Sequence, residues 1–223
     1  MQESCSPRRI DEIISEVFDP VLGLCGFHRS MPRKYARKRI EHTHDVIALL
    51  SQKINLRMIW GVSLDFVPHI AGRATETVQW HRTARSASPD LRYSESENAN
   101  QPSRRFDVST IYGEERMRNQ ARLAQEELLP RALRFFDSVP DLFAVETLFV
   151  HSEQHPQWGD FHNTPQIALA YAFYLAKMDK EESARTHMAE WLKRSHRRPE
   201  TNQRLRELFE EAVRGPRMRS KRG

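Results

Sequence analysis

Between Arg57 and Phe66 the side chains alternate without a break. Met58, Trp60, Val62, Leu64 and Phe66 fall on one face, and Arg57, Ile59, Gly61, Ser63 and Asp65 on the other. A period of two is the mark of a half-buried strand. Pro68 cannot donate to a ladder and marks its end. Just upstream, Val46 to Leu50 is apolar on both faces, as expected of a central strand. Asn55 tolerates turn conformations, so a tight connection is expected near Ile54 to Leu56. The pair reads as the centre of an antiparallel sheet.

The flanking segments have helical spacing. Ser6-Pro7 can open a helix that carries Ile10, Ile13, Ile14, Val17 and Phe18 inward. Pro20 is expected to kink or end it, and Gly26 to stop it. Thr75 to His81 reads as a weaker strand, Ser86 to Arg104 as a long loop, and Arg105 to Ile111 as a last strand. From about Glu114 the pattern is helical through Met117, Ala121, Ala124 and Leu128, with Pro130 expected to interrupt it. Further helices are expected after Pro140, after Thr164-Pro165, after an Asp179 cap and after Pro199. The expected fold is α+β: an N-terminal helix with a small antiparallel sheet, followed by an α-helical C-terminal half. Three regions follow: residues 1–112, residues 113–213 and a basic tail at 214–223.

Resemblance extends this reading. Gly26-Phe27 after a helix, then Tyr35 and Arg37, Asp45-Val46-Ile47, Leu49, Gln52-Lys53 and a strand from Arg57 form a pattern. Over roughly Arg9 to Val67 it resembles the bacterial domain-of-unknown-function 4304 family. The resemblance implies an α+β fold with an antiparallel sheet and a bacterial source, and it carries over no catalytic residue.

Charge invites a nucleic-acid reading. The formal net charge is +5, but Arg214, Arg217, Arg219, Lys221 and Arg222 supply five cations. Without them the body has no net charge, so the basic character is mainly that of the tail. The segment Pro32 to Glu41 is nonetheless dense in cations. As a strand it sets Tyr35, Arg37 and Arg39 on one face, with Arg33 at its start. Such a strand could track a phosphate backbone. It could equally be a charged edge strand that resists aggregation, the preferred reading because only one aromatic is interleaved.

Metal chemistry has one candidate cluster. His151 and His155 are four apart, with His162 or Asp160 able to complete a shell. The zinc-protease spacing needs the Glu directly after the first His, whereas Glu153 is displaced by one. Pro156 also biases His155 away from helical geometry. His42 and His44, with His69 or His81, form a second and weaker group. Asp45, Asp65, Glu76 and Lys53 lack the spacing of a sheet-centred nuclease. Glycine-rich phosphate loops, G-x-S-x-G and C-x-x-C are absent from the sequence.

No catalytic residue and no cofactor is therefore expected. Trp158 and the Ser86 to Arg104 loop are the expected partner surface. The leading expectation is a non-catalytic bacterial protein that binds another protein, of immunity or defence-accessory type. A nucleic-acid-associated protein using the basic strand and tail comes second, and a metal-dependent hydrolase third. No window reaches the roughly 18 apolar residues of a membrane span. The first residues lack a signal-peptide core, and the two cysteines, Cys5 and Cys25, fit a reducing compartment. A cytoplasmic location with no membrane contact is expected.

Overall fold

The computed structural model describes residues 5–71, 76–79, 83–85, 87, 89–93, 107–154 and 167–215. Helix α1 (Pro7–Leu24) is followed by strands β1 (His28–Met31), β2 (Lys34–Arg37), β3 (Thr43–Gln52) and β4 (Asn55–Leu64). Then come β5 (His69–Ala71), β6 (Thr77–Gln79), β7 (Leu91–Tyr93) and β8 (Val108–Ser109). Helices α2 (Glu114–Asp137), α3 (Ala144–Gln154), α4 (Ile167–Lys177), α5 (Glu181–Arg194) and α6 (Pro199–Arg214) follow among the described residues. The class is α+β, as the sequence predicts.

β3 and β4 form the central hairpin, in register from Thr43 opposite Leu64 to Gln52 opposite Asn55. The turn is Lys53-Ile54, slightly earlier than expected. Asn55 is already paired, and Lys53 takes the left-handed conformation at φ 54°. The main sheet runs β1-β2-β3-β4-β7, with β8 pairing the start of β4, and all its pairings are antiparallel. β5 and β6 make a separate two-stranded sheet. Two expectations are corrected here. The basic segment is not an edge: β2 lies between β1 and β3. The Ser86 to Arg104 stretch is not wholly loop, because Leu91–Tyr93 pairs with Trp60–Val62.

β4 is buried on both faces rather than one. Ile59 and Ser63 are as hidden as Met58 and Trp60. The reason is a close covering segment. A Cβ on Gly61 would lie 1.9 Å from the Leu91 carbonyl oxygen and 2.9 Å from Pro89 Cβ. Only glycine lets the chain at 89–91 press onto the strand.

The alternating face of β4 divides between two cores. Leu56, Met58 and Trp60 pack with Ile13, Ile14 and Phe18 of α1 and with Met117, Ala121 and Ala124 of α2. Val62 and Leu64, with Phe66 just beyond, pack among α3 to α6. At the centre of this second core is α4, with every residue from Leu169 to Ala176 buried. A helix apolar all round belongs inside.

Pro20 and Pro130 lie within α1 and α2 and end neither. Both are solvent-exposed. A long helix is convex toward solvent, where backbone bonds are already lengthened and water can take the orphaned carbonyl. The cap of α5 is Lys180, not Asp179, which takes φ 60° in the preceding turn. Asp141 accepts the Ala144 amide at 2.9 Å, so α3 starts four residues after Pro140. Pro199 is the first residue of α6, as its sequence predicts.

Candidate functional site

The basic strand turns inward. Asp45 on β3 is 1% exposed, and its Oδ2 accepts from Nε of Arg37 at 2.9 Å and of Arg39 at 3.0 Å. Arg37 also donates through Nη1 to the carbonyl of Cys25, the residue that caps α1. Its guanidinium stands 4.6 Å from the centre of the Phe27 ring. Arg39 donates through Nη2 to the carbonyls of Phe136 and Val139, at the end of α2. Two cations held by one carboxylate thus satisfy the carbonyl ends of two helices, where positive charge is favoured. Burying the carboxylate is tolerable only because both partners are charged and hydrogen-bonded.

The rest of the strand is committed in the same way. Arg33 pairs with Asp11 at 2.8 Å and donates to Ser51 at 2.9 Å. Lys34 donates to the carbonyls of Arg85 and Ala87 at 2.6 and 3.0 Å, and burial pushes its ammonium below its usual value. The hydroxyl of Tyr35 donates to Asp19 at 2.7 Å. Burial first, and Asp19 second, push that phenol above its ordinary range. Arg33, Tyr35, Arg37 and Arg39 are therefore spread along β2 and its flanks rather than gathered at one point, and their polar atoms face the protein's own groups. The sequence offered a signal for this: Asp45 and Asp11 carry the complementary charge.

His151 is in the backbone of α3, its side chain outside the described region, while His155, Trp158 and His162 lie outside the described residues. His42 and His44 do not converge. His42, at φ 64°, sets Nδ1 3.1 Å from Asp65, whose amide donates to the His42 carbonyl. His44 is buried across from Ser63. Asp45, Asp65 and Glu76 pair with Arg37 and Arg39, with His42 and with Arg197 respectively, so they are not gathered around one point. Among the described residues no group of three His, Cys, Asp or Glu is arranged to hold a metal ion.

What faces outward is the end of the sheet that carries the two hairpin turns. Met31, Leu50 and Ile54 are 44%, 39% and 47% exposed. The β1–β2 turn is fixed beside β3, because the Leu49 amide donates to the Arg33 carbonyl at 2.9 Å. Next to it an open groove of about 890 Å³ runs between the solvent side of α1, from Arg8 to Asp19, and residues Arg29 to Pro32. Its charges are already matched: Arg8 with Glu12 at 3.0 Å, Arg29 with Asp19 at 3.5 Å, and Arg118 with Glu16 at 2.8 Å. Arg9 and Arg118, by hydrogen bonding, hold Glu12 and Glu16 respectively below the usual carboxylate range. Among the described residues no strand pairs with the outer edge of β1. Sequence reasoning missed this surface, since single exposed apolar residues carry no periodic signal.

No family model, no curated protein and no solved structure matches the chain. No described helix is long and apolar enough to cross a membrane.

Proposed function

We propose that this is a non-catalytic protein-binding module whose contact surface is the turn-bearing end of the sheet with the adjoining α1 groove. The observation that carries the reading is the exposure of Met31, Leu50 and Ile54 at one end of the fold, beside a groove whose charges are already paired. Apolar side chains grouped on a surface and rimmed by polar ones are a mark of protein contact. The proposal extends to a bacterial role of immunity or defence-accessory type. Cys5 and Cys25 are free thiols, in keeping with a reducing, cytoplasmic setting.

The polyanion reading draws less support from the strand than its composition promised. Phosphate contact there would require Arg37 and Arg39 to leave Asp45 and two helix ends. The test is capture from extracts of the native host, repeated after nuclease treatment, with wild type beside a Met31→Lys, Ile54→Lys double variant. A protein retained by wild type after nuclease and lost by the variant supports the reading. Material lost on nuclease treatment, or retained equally by the variant, overturns it.

A further inference from the structure

From the last turn of α5 to the start of α6, Lys193, Arg194, His196, Arg197 and Arg198 stand with no acid between them. Lys193 and Arg194 suit the carbonyl end of α5, where positive charge is favoured. The turn is braced from within. The Ser195 hydroxyl donates to the Asn202 side chain at 3.2 Å and accepts from the Arg197 amide at 3.3 Å. The Asn202 side-chain amide donates to the Arg197 carbonyl at 3.5 Å.

Beside this turn is a cavity of about 490 Å³, lined by Glu76, Trp191, Arg194, Ser195, His196 and Arg197. Trp191 is 7% exposed and packs in the second core, so one wall is fixed. Glu76 is the one acid among these residues, and it is already engaged. Its side chain is 10% exposed and pairs with Arg197. Arg197 first, with Thr201 and the Arg198 backbone, holds its carboxyl below the usual range, while burial acts the other way. Arg194 and His196 differ. Both are exposed, and among the described residues the side chain of neither makes a hydrogen bond or an ion pair.

We infer that this cavity is an anion site that takes the phosphate group of a small organic phosphate, with Arg194 and His196 as its binding residues. A guanidinium offers a planar fork that matches two phosphate oxygens, and an imidazole adds a further donor. Glu76 and Arg197 cancel each other, so Arg194 leaves the wall with net positive charge, and Lys193 next to it adds to that field. The volume falls in the range of about 300–1,000 Å³ usual for small-molecule sites, more than a bare phosphate fills. Trp191 offers the organic part an apolar wall. The hydrogen bonds within the turn hold the donors in place beforehand, which lowers the ordering cost of binding. The site shares no residue with the surface formed by the two hairpin turns.

Titration of the full chain with phenyl phosphate, inorganic phosphate and acetate at constant ionic strength, followed by amide resonances, tests the site. Phenyl phosphate should give saturable shifts at Trp191 and residues 194–197, and bind more tightly than inorganic phosphate or acetate. Arg194→Gln should weaken it by about tenfold or more, the worth of a charge-assisted contact, and His196→Gln by about threefold. Arg194→Lys, which keeps the charge and loses the fork, should fall between wild type and Arg194→Gln. Arg116→Gln, which removes an exposed cation stacked on Tyr112, should leave binding unchanged. Shifts that do not saturate, undiminished binding by Arg194→Gln, or an equal loss in Arg116→Gln would overturn the proposal. Tighter binding of inorganic phosphate or acetate than of phenyl phosphate would overturn it too.

Discussion

Arg39 and Asp45 meet at 3.0 Å, and Arg39, two residues beyond β2, reaches from that contact the carbonyls of Phe136 and Val139, 97 and 100 residues further along the chain. Arg37 does the same for the end of α1. Asp45 is thus the pin that holds two guanidiniums in position to close two helices onto the sheet.

Asp45→Asn keeps the shape and removes the charge. Two guanidiniums, side chains 16% and 26% exposed, are left against a neutral amide. Breaking a buried pair of this kind costs on the order of 3 kcal/mol. Urea unfolding should show the midpoint fall with the slope unchanged. A loss under about 0.5 kcal/mol would mean the network is ornamental.

Gly61→Ala tests the covering segment. The new methyl would stand 1.9 Å from the Leu91 carbonyl oxygen, which is backbone and cannot swing aside. Overpacking of this sort costs about 1–3 kcal/mol. Thermal melts should fall accordingly, with the Trp60–Val62 pairing to Leu91–Tyr93 disturbed in amide spectra. An unchanged β7 pairing would contradict the account of why this position is glycine.

Tyr35 sets an alkaline limit. Its hydroxyl is buried and donates to Asp19, so the folded protein holds the proton above the ordinary value of 10.0. A raised value in the folded state gives stability that is present below pH 10 and is lost as pH climbs past it, because the unfolded chain releases the proton first. Tyr35→Phe removes the Tyr35 part of that loss, and Tyr174, also raised chiefly by burial, leaves the remainder. Denaturant midpoints between pH 9 and 11 should fall less steeply in the variant. Equal slopes would rule out the buried phenol as a cause.

The parts of the fold that sequence revealed are those with a period. The alternation from Met58 to Phe66 and the two-sided run from Val46 to Leu50 located the central hairpin. Spacing at Ile10, Ile13, Ile14 and Val17 located α1. What stayed hidden depends on contacts between distant residues. Nothing local marks Leu91–Tyr93 as a strand, since three residues cannot show a period. Pro130 looked like a break because its effect depends on which side of the helix meets water. The cations of Lys34 to Arg39 looked like a surface because composition does not say where a guanidinium points. Asp45, the residue that turns them inward, stands in the sequence only as part of the family pattern and as one of several scattered acids without nuclease spacing.

The exposed end of the sheet yields a prediction about energy as well as place. Met31→Lys and Ile54→Lys change residues about half exposed, so each should alter stability by less than about 0.5 kcal/mol. Together they should weaken the captured complex by tenfold or more, about 1.4 kcal/mol. Titration calorimetry with thermal melts separates the two effects. A loss of binding matched by a loss of stability would point to misfolding instead.

The most direct test of the central claim is hydrogen exchange of the wild-type protein with and without its captured partner. The account predicts new protection in residues 28–33 and 50–55 and along the Arg8–Asp19 side of α1, with α5 and α6 unchanged. Protection confined to α5 and α6, or none in the two hairpin turns, would contradict it.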